Sequence, residues 1–161
     1  SLITYVLAVG KEIGNEKAFK ILLQARAERY TNAHIKWARD NMGRLGISGN
    51  DAIAAYELTE AFFKDTQMYT FGHLMAEPKE TTKTQYVEKG PKRVVIRHDL
   101  WCPLLEACRN LGVQSRFLCE NFAFPEWERV VRDVINPRFV LKANRIRPEA
   151  PYCEEVYEIG E

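Results

Sequence analysis

Cysteine and histidine side chains are concentrated in one stretch of the sequence, residues 92–119. This stretch, KRVVIRHDLWCPLLEACRNLGVQSRFLC, contains three of the four cysteines and one of the three histidines. Thiolates and imidazoles serve as nucleophiles, as proton carriers and as ligands of zinc. We therefore expect any catalytic or metal-binding site of this protein to lie there.

Cys102 is the leading candidate for a nucleophile. It precedes Pro103, and because proline is well tolerated in the first turn of a helix, a helix is predicted to start here. The unpaired N–H groups and the positive dipole end of a helix both favour a thiolate. Glu106, one turn further along the same face, can accept a proton, and His98 ends the preceding strand. The predicted catalytic residues are Cys102, Glu106 and His98; the alternative is a buried, inert cysteine.

The same residues also suit metal binding. Cys102, Cys119, Cys153 and His98 are the ligand types of a tetrahedral zinc site. The spacing of the cysteines argues against a zinc site, because such sites usually contain close CxxC pairs and this chain has none. Cys108 lies six residues after Cys102 and faces another side of the helix, so we assign it to the core. Zinc stays an open prediction.

The first part of the chain has the pattern of helices. Residues 2–13 are predicted to form one helix and residues 15–40 a longer one, ended by turn residues up to Gly46. Ser48-Gly49-Asn50-Asp51 matches a capping box with Asp in place of Glu, opening a helix to about residue 64. The apolar stripe of the long helix recurs at spacings of three and four: Phe19, Leu22, Leu23, Ala27, Tyr30, Ala33 and Trp37.

Strand patterns occur in two pairs in the second part. Residues 78–88 alternate and are rich in Thr, and residues 92–98 follow a Lys89-Gly90-Pro91 turn, which predicts a hairpin. Residues 139–146 and 152–159 predict a second pair of strands at the C-terminal end.

Short helices are predicted between the two strand pairs, starting at Cys102, Ser115 and Pro125. Runs of strands separated by helices predict an α+β fold with an antiparallel sheet. We expect a single domain, residues 1–161, in which a helical half (1–65) packs on a ββ-αα-ββ half (66–161).

Composition narrows the classes of partner. Apolar residues make up 46% and charged residues 28%, with a formal net charge of +1. A net charge so close to zero gives no overall electrostatic attraction to nucleic acid or an acidic membrane. No stretch of the sequence approaches the ~20 apolar residues of a membrane span. No secretory signal is visible, so we expect a cytoplasmic protein with reduced thiols. A homodimer is compatible with these numbers.

Aromatic and basic residues suggest how a ligand would bind. An aromatic-lined cavity between helices and sheet is expected to hold a small organic molecule, unless these rings form the core. The rings concerned are Trp37, Tyr56, Phe62, Trp101 and Trp127. The basic residues Arg138, Lys142, Arg145 and Arg147 cluster near one strand, where they form a solvated edge or contact an anionic substrate.

The segment Cys102-Pro103-Leu104-Leu105-Glu106-Ala107 resembles the L-2-amino-thiazoline-4-carboxylic acid hydrolase-like family. The Gly49-Asn50-Asp51 turn, Cys119 and the closing Tyr152-Cys153-Glu154-Glu155 belong to the same likeness, which spans most of the chain. The closing segment is also similar to the end of 4-vinyl-reductase-type domains, small-molecule sensors in which cysteines hold zinc. The Glu and Cys ligands that those domains carry just upstream are absent from residues 139–148.

The resemblance leaves two classes of function open. The first is an enzyme that hydrolyses a small cyclic amidine or thiazoline carboxylate. Cys102 would be its nucleophile or a metal ligand, Glu106 or His98 its proton carrier, and an arginine its carboxylate anchor. The alternative is a non-catalytic small-molecule-binding or sensor domain with structural cysteines that hold zinc or no metal.

Overall fold

The computed structural model describes residues 2–65, 84–99 and 102–161. Its helices and strands follow in this order: α1 Leu2–Ile13, α2 Asn15–Arg26, α3 Asn32–Asn41, α4 Ala52–Asp65, β1 Gln85–Lys89, β2 Arg93–His98, α5 Pro103–Leu111, α6 Ser115–Leu118, α7 Phe124–Val134, β3 Phe139–Arg145 and β4 Cys153–Ile159. Two π-helical turns, π1 (Ala27–Thr31) and π2 (Cys119–Ala123), join α2 to α3 and α6 to α7. The predicted α+β class is confirmed.

The helical first part follows the predicted pattern with one addition and one shift. The long predicted helix is continuous from Asn15 to Asn41, but π1 widens it in the middle. The cap of α4 is Asp51 rather than Ser48, because the Asp51 carboxylate accepts the Ala54 N–H at 2.9 Å. Gly46 ends the preceding turn with φ of +70°, a conformation that favours glycine.

The strands form one antiparallel sheet in the order β1-β2-β4-β3. β1 and β2 are the predicted hairpin, although the predicted strand residues before 84 lie outside the described residues. One face of the sheet packs against α4 and α7. Side chains of α3, α4, α7, β2, β3 and β4 meet in the main core, where the largest fully buried ones include Leu58, Val94, Ile96, Val130, Val131 and Phe139.

A second, smaller core lies between the N-terminal helices and the helices that follow the hairpin. Phe19 of α2 contacts the ring of Phe117 at 5.4 Å between centroids. Cys108 is 2% exposed in this cluster, so its assignment to the core is confirmed.

The helices after the hairpin position the candidate site. α5 begins at Pro103, as predicted, and ends at Gly112, whose φ is +65°. α7 begins at Phe124, one residue before the predicted helix start at Pro125, and it follows α6 and π2 without a break. Within the described ranges, no helix has both the length and the apolar character needed to cross a membrane.

Candidate functional site

The candidate site lies at the end of the sheet where β2 finishes and β4 begins. In the antiparallel register His98 is directly opposite Cys153. Directly opposite residues project to the same face, so the imidazole and this thiol are neighbours. Four residues after His98, Cys102 forms the N-cap of α5 in an extended conformation. We call this region, defined by His98, Cys102, Cys119, Cys153 and Glu155, the cysteine corner.

The thiols of the cysteine corner are near enough for their charges to interact. A charge on Cys153 raises the pKa of both Cys102 and Cys119, and a charge on Cys102 raises that of Cys119. Cys108 takes part in the same interactions, because its charge raises the pKa of Cys119 and the charge of Cys102 raises its own. Four separate elements, β2, α5, π2 and β4, thus bring predicted site residues to one place.

Glu106 does not join this group. Its carboxylate pairs with Arg109 at 3.4 Å on the surface of α5, and the two side chains are 38% and 62% exposed. The predicted role of Glu106 as proton carrier therefore finds no support in its surroundings. An i, i+3 ion pair between exposed side chains is an ordinary feature of a helix surface.

His98 is held instead by Glu155, two residues beyond Cys153 on the same face of β4. The imidazole Nε2 lies 3.1 Å from the Glu155 Oε1, and the two side chains are 14% and 23% exposed. The other ring nitrogen, Nδ1, is buried and has no hydrogen-bond partner among the described residues. A carboxylate can only accept a hydrogen bond, so the neutral ring carries its proton on Nε2 and its lone pair on Nδ1.

The second oxygen of Glu155 continues the polar chain into the core. The Tyr157 hydroxyl donates to Oε2 of Glu155 at 3.0 Å. On the other side of Tyr157 lies Thr59 of α4, whose hydroxyl accepts from the Trp127 indole of α7 at 2.7 Å and donates to the Ala55 carbonyl at 2.8 Å. Two hydrogen-bonded groups, Trp127–Thr59 and Tyr157–Glu155–His98, thus lie next to each other in the core.

Opposing effects set the ionisation of Glu155 and Tyr157. Burial opposes the charge on Glu155, but the hydrogen bond from His98, the charge that this ring has when it is protonated, the Tyr157 hydroxyl and the charge of Arg147 together hold the pKa of Glu155 below the usual value. Burial, and the nearby Glu155 charge, raise the pKa of Tyr157 well above its usual value. Among these hydrogen-bonded side chains, Glu155 is thus the anion, and Tyr157 is a neutral donor.

The thiol of Cys102 is not activated in the way that the sequence predicts. The residue is half-exposed, yet its sulphur is shielded, and burial raises the pKa of the Cys102 thiol. The N–H groups of Leu104 and Leu105 and the charge of Arg147 lower it, although neither N–H makes a full capping hydrogen bond. Burial outweighs the helix end, so the surroundings of Cys102 do not favour the thiolate that the helix start would favour by itself.

The other shielded thiols behave in the same way. Burial, together with the neighbouring Cys102, Glu155 and Cys153, raises the pKa of Cys119 far above its usual value. Cys119 is the first residue of π2, and π-helical turns often occur at functional sites.

Arg147 supplies positive charge to the cysteine corner. Its Nη1 donates to the Asp99 carbonyl at 3.0 Å, and its own carbonyl accepts from the Ser115 hydroxyl. Its charge lowers the pKa of both Cys102 and Glu155, which places the guanidinium near both. Of the other predicted basic residues, Lys142 pairs with Glu158 on the outer face of the sheet.

The predicted zinc ligands suit zinc in type but are not placed to hold it. Among residues 2–65, 84–99 and 102–161, no three His, Cys, Asp or Glu side chains form a group that could hold a metal ion.

The predicted aromatic cavity is not lined as expected. Trp37 and Trp127 contact Phe62 at 5.0 and 4.7 Å between centroids, and Tyr56 contacts Tyr157 at 5.3 Å, so these rings fill the core. Trp101 lies outside the described residues. A groove of about 260 Å³ lies between α7 and β3 instead. It is lined by Glu120, Phe124, Pro125, Glu128, Leu141 and Lys142.

The contacts of Glu155 and Tyr157 are not among the sequence predictions. The signal was present, because alternation along CEEVYEI puts a carboxylate between a thiol and a phenol on one face. The pairing of that face with His98 depends on contacts 57 residues apart in the chain.

The described residues form an α+β domain in which the hydrogen-bonded pair of His98 and Glu155 lies beside Cys153. No protein-family model, curated protein or solved structure matches the chain.

Proposed function

We propose that the chain is a small-molecule hydrolase that uses a thiol of the cysteine corner. The observation that carries this proposal is the state of His98: Glu155 holds one ring nitrogen, and the other is buried and unpartnered within the described residues. A thiol, a histidine and an orienting carboxylate are the parts of a base-assisted nucleophile.

His98 is the proton carrier of the proposed reaction. Its Nδ1 lone pair takes the proton from a thiol, and Glu155 stabilises the resulting imidazolium. This base is needed because burial keeps the Cys102 and Cys119 thiols protonated. Glu106, on the outer surface of α5, takes no part.

A small cyclic amidine or thiazoline carboxylate is the proposed substrate. The resemblance to L-2-amino-thiazoline-4-carboxylic acid hydrolases suggests this class, and Arg147 beside Cys102 offers the matching charge for a carboxylate.

The proposed reaction consumes one water and regenerates the thiol. The sulphur adds to the amidine carbon, the C=N double bond becomes single, and the thiol proton passes through His98 to the ring nitrogen. A ring bond at that carbon then breaks, and the departing atom takes a proton. Water adds to the same carbon, and the enzyme sulphur leaves as the thiol.

Turnover of 2-aminothiazoline-4-carboxylate by His98→Asn tests the proposal. We expect a loss of about 10²-fold or more, the usual contribution of a general base, with the fold intact by circular dichroism. His34→Asn is the matched control, because His34 lies on α3 and packs against Phe62 at 4.8 Å. Equal activity of wild type and His98→Asn, or one tightly bound zinc per chain on the corner thiols, would contradict it.

A non-catalytic binding domain with structural cysteines is the second candidate. The raised pKa of Cys102, Cys108 and Cys119 favours it, because buried neutral thiols are inert. Here Cys102→Ser should lower the melting temperature, and the wild type should bind the thiazoline carboxylate without turning it over.

A further inference from the structure

Cys153 has a relationship to His98 that the other thiols lack. The two residues form the last pair of the β2–β4 ladder. Side chains of directly opposite residues start about 4.5–5.5 Å apart at their Cβ atoms. Glu155, the next residue along that face, holds the Nε2 of the same imidazole. Three neighbouring positions on two strands thus carry a thiol, an imidazole and a carboxylate.

The thiol of Cys102 interacts with the start of its own helix instead. Its sulphur faces the N–H groups of Leu104 and Leu105, which belong to its own helix. Cys119 is enclosed among the other thiols of the corner and begins π2. Neither residue is paired with His98 in the sheet.

We infer that Cys153, and not Cys102, is the thiol that reacts, with His98 as its base and Glu155 as the positioning residue. This assignment rests on the proposed function and names the group that carries it out. In the first step the Cys153 proton moves to Nδ1 of His98 as the sulphur bonds to the electrophilic carbon. The electron pair of the broken C=N π bond then takes that proton, so no oxidant or other co-reactant is required.

Tyr157 holds the carboxylate of Glu155 in place. The Tyr157 hydroxyl occupies Oε2 of Glu155, which leaves Oε1 for the imidazole. Tyr157 is itself 2% exposed, and its ring packs against those of Tyr56 and Phe139. Because Glu155 is fixed in this way, its hydrogen bond keeps the His98 imidazole in one tautomer and one ring orientation.

The test is the labelling of each thiol in the folded wild-type protein with iodoacetamide, followed by peptide mass spectrometry. We expect Cys153 to react about tenfold or more faster than Cys102, the scale of modest base assistance. His98→Asn should remove that difference, whereas His34→Asn should preserve it. Earlier labelling of Cys102 or Cys119, or a Cys153 rate unchanged by His98→Asn, would overturn the assignment.

The positioning role of Glu155 has a separate readout. Imidazole ¹⁵N shifts should show the proton of His98 on Nε2 in the wild type and a mixture of tautomers in Glu155→Gln, because an amide can also donate. An unchanged tautomer in Glu155→Gln would refute this role.

Turnover separates the assignment from the proposed function. If the chain hydrolyses the thiazoline carboxylate, Cys153→Ser should abolish turnover and Cys102→Ser should retain most of it; the reverse result overturns the assignment. If wild type shows no hydrolysis but Cys153 labelling depends on His98, the proposed function fails and the pairing of thiol and base is supported.

Discussion

The indole Nε1–H of Trp127 on α7 donates a hydrogen bond of 2.7 Å to the hydroxyl of Thr59 on α4. Thr59 is 3% exposed and donates in turn to the Ala55 carbonyl at 2.8 Å. The two helices that cover the sheet are therefore joined by a polar contact as well as by packing. Buried polar groups must be paired to be tolerated, so this contact fixes how the helices meet.

Thr59→Val should lower the free energy of unfolding by about 1–3 kcal/mol, because it leaves the Trp127 N–H buried without an acceptor. Urea denaturation at constant m-value is the measurement. In a double-mutant cycle, Trp127→Phe should add less in the Thr59→Val background than in the wild type. Strict additivity of the two changes would show that the hydrogen bond contributes nothing.

Tyr157→Phe should also destabilise the fold, by about 1–3 kcal/mol, because hydrogen bonds to a charged carboxylate are stronger than neutral ones. It removes the donor to Glu155 and keeps the ring that contacts Phe139 at 6.0 Å and Tyr56 at 5.3 Å. Tyr86→Phe, at a residue that is 46% exposed, is the control and should change stability by less than about 0.5 kcal/mol. Equal effects of the two variants would contradict the role of the hydroxyl.

Local signals were sufficient for most of the fold. The spacing of apolar residues predicted α2 and α3, and alternation predicted β2, β3 and β4. Pro103 and Gly112 marked the two ends of α5, because each residue has a backbone preference that acts without distant contacts. These elements follow from the chain itself, so the sequence was enough to predict them.

The two π turns and the role of Glu155 depend on tertiary contacts. No residue type marks π1 or π2, since a π turn differs from an α-helix by one hydrogen-bond step. The protonation of Cys102 was also misjudged, because burial depends on residues packed from other elements and outweighs the helix end. A pattern along one strand predicts a face, but it does not predict which side chains lie across from it.

An ion pair between Arg26 and Glu126 links the regions around π1 and π2, and its loss should lower the stability of the fold. Arg26 makes hydrogen bonds of 3.3 and 3.1 Å to the Glu126 carboxylate, and its guanidinium lies over the rings of Tyr30 and Phe122. The two side chains are 21% and 11% exposed. Glu126→Gln should therefore lower stability by about 1–3 kcal/mol, because it leaves a shielded cation without its partner.

The matched control for that change is Asp40→Asn. Asp40 pairs with Lys36 on α3, and these side chains are 56% and 76% exposed. Its loss should change stability by less than about 0.5 kcal/mol, as for most surface pairs. Salt should weaken the effect of Asp40→Asn more than that of Glu126→Gln. Similar values for both variants in chemical denaturation would show that the shielding of Arg26 is unimportant.

His34 should make the fold sensitive to mild acid. Burial lowers the pKa of His34 from its usual 6.5, the Glu126 charge opposes this shift, and the Arg26 charge adds to it. The unfolded chain therefore binds a proton at His34 before the folded one does. Since stability rises with pH wherever the unfolded state holds more protons, His34 contributes stability above pH 6.5 that is lost as the pH falls toward the folded pKa.

His34→Gln isolates this contribution, because the carboxylates of the chain titrate in both proteins. Between about pH 7.5 and 5.5 the wild type should lose more of its free energy of unfolding than the variant does, as linkage requires. Denaturation curves at a series of pH values measure the difference. If both proteins lost the same free energy of unfolding over this pH range, the His34 imidazole would bind its proton as readily in the folded state as in the unfolded state. That result would contradict the effect expected from the packing of His34 on Phe62.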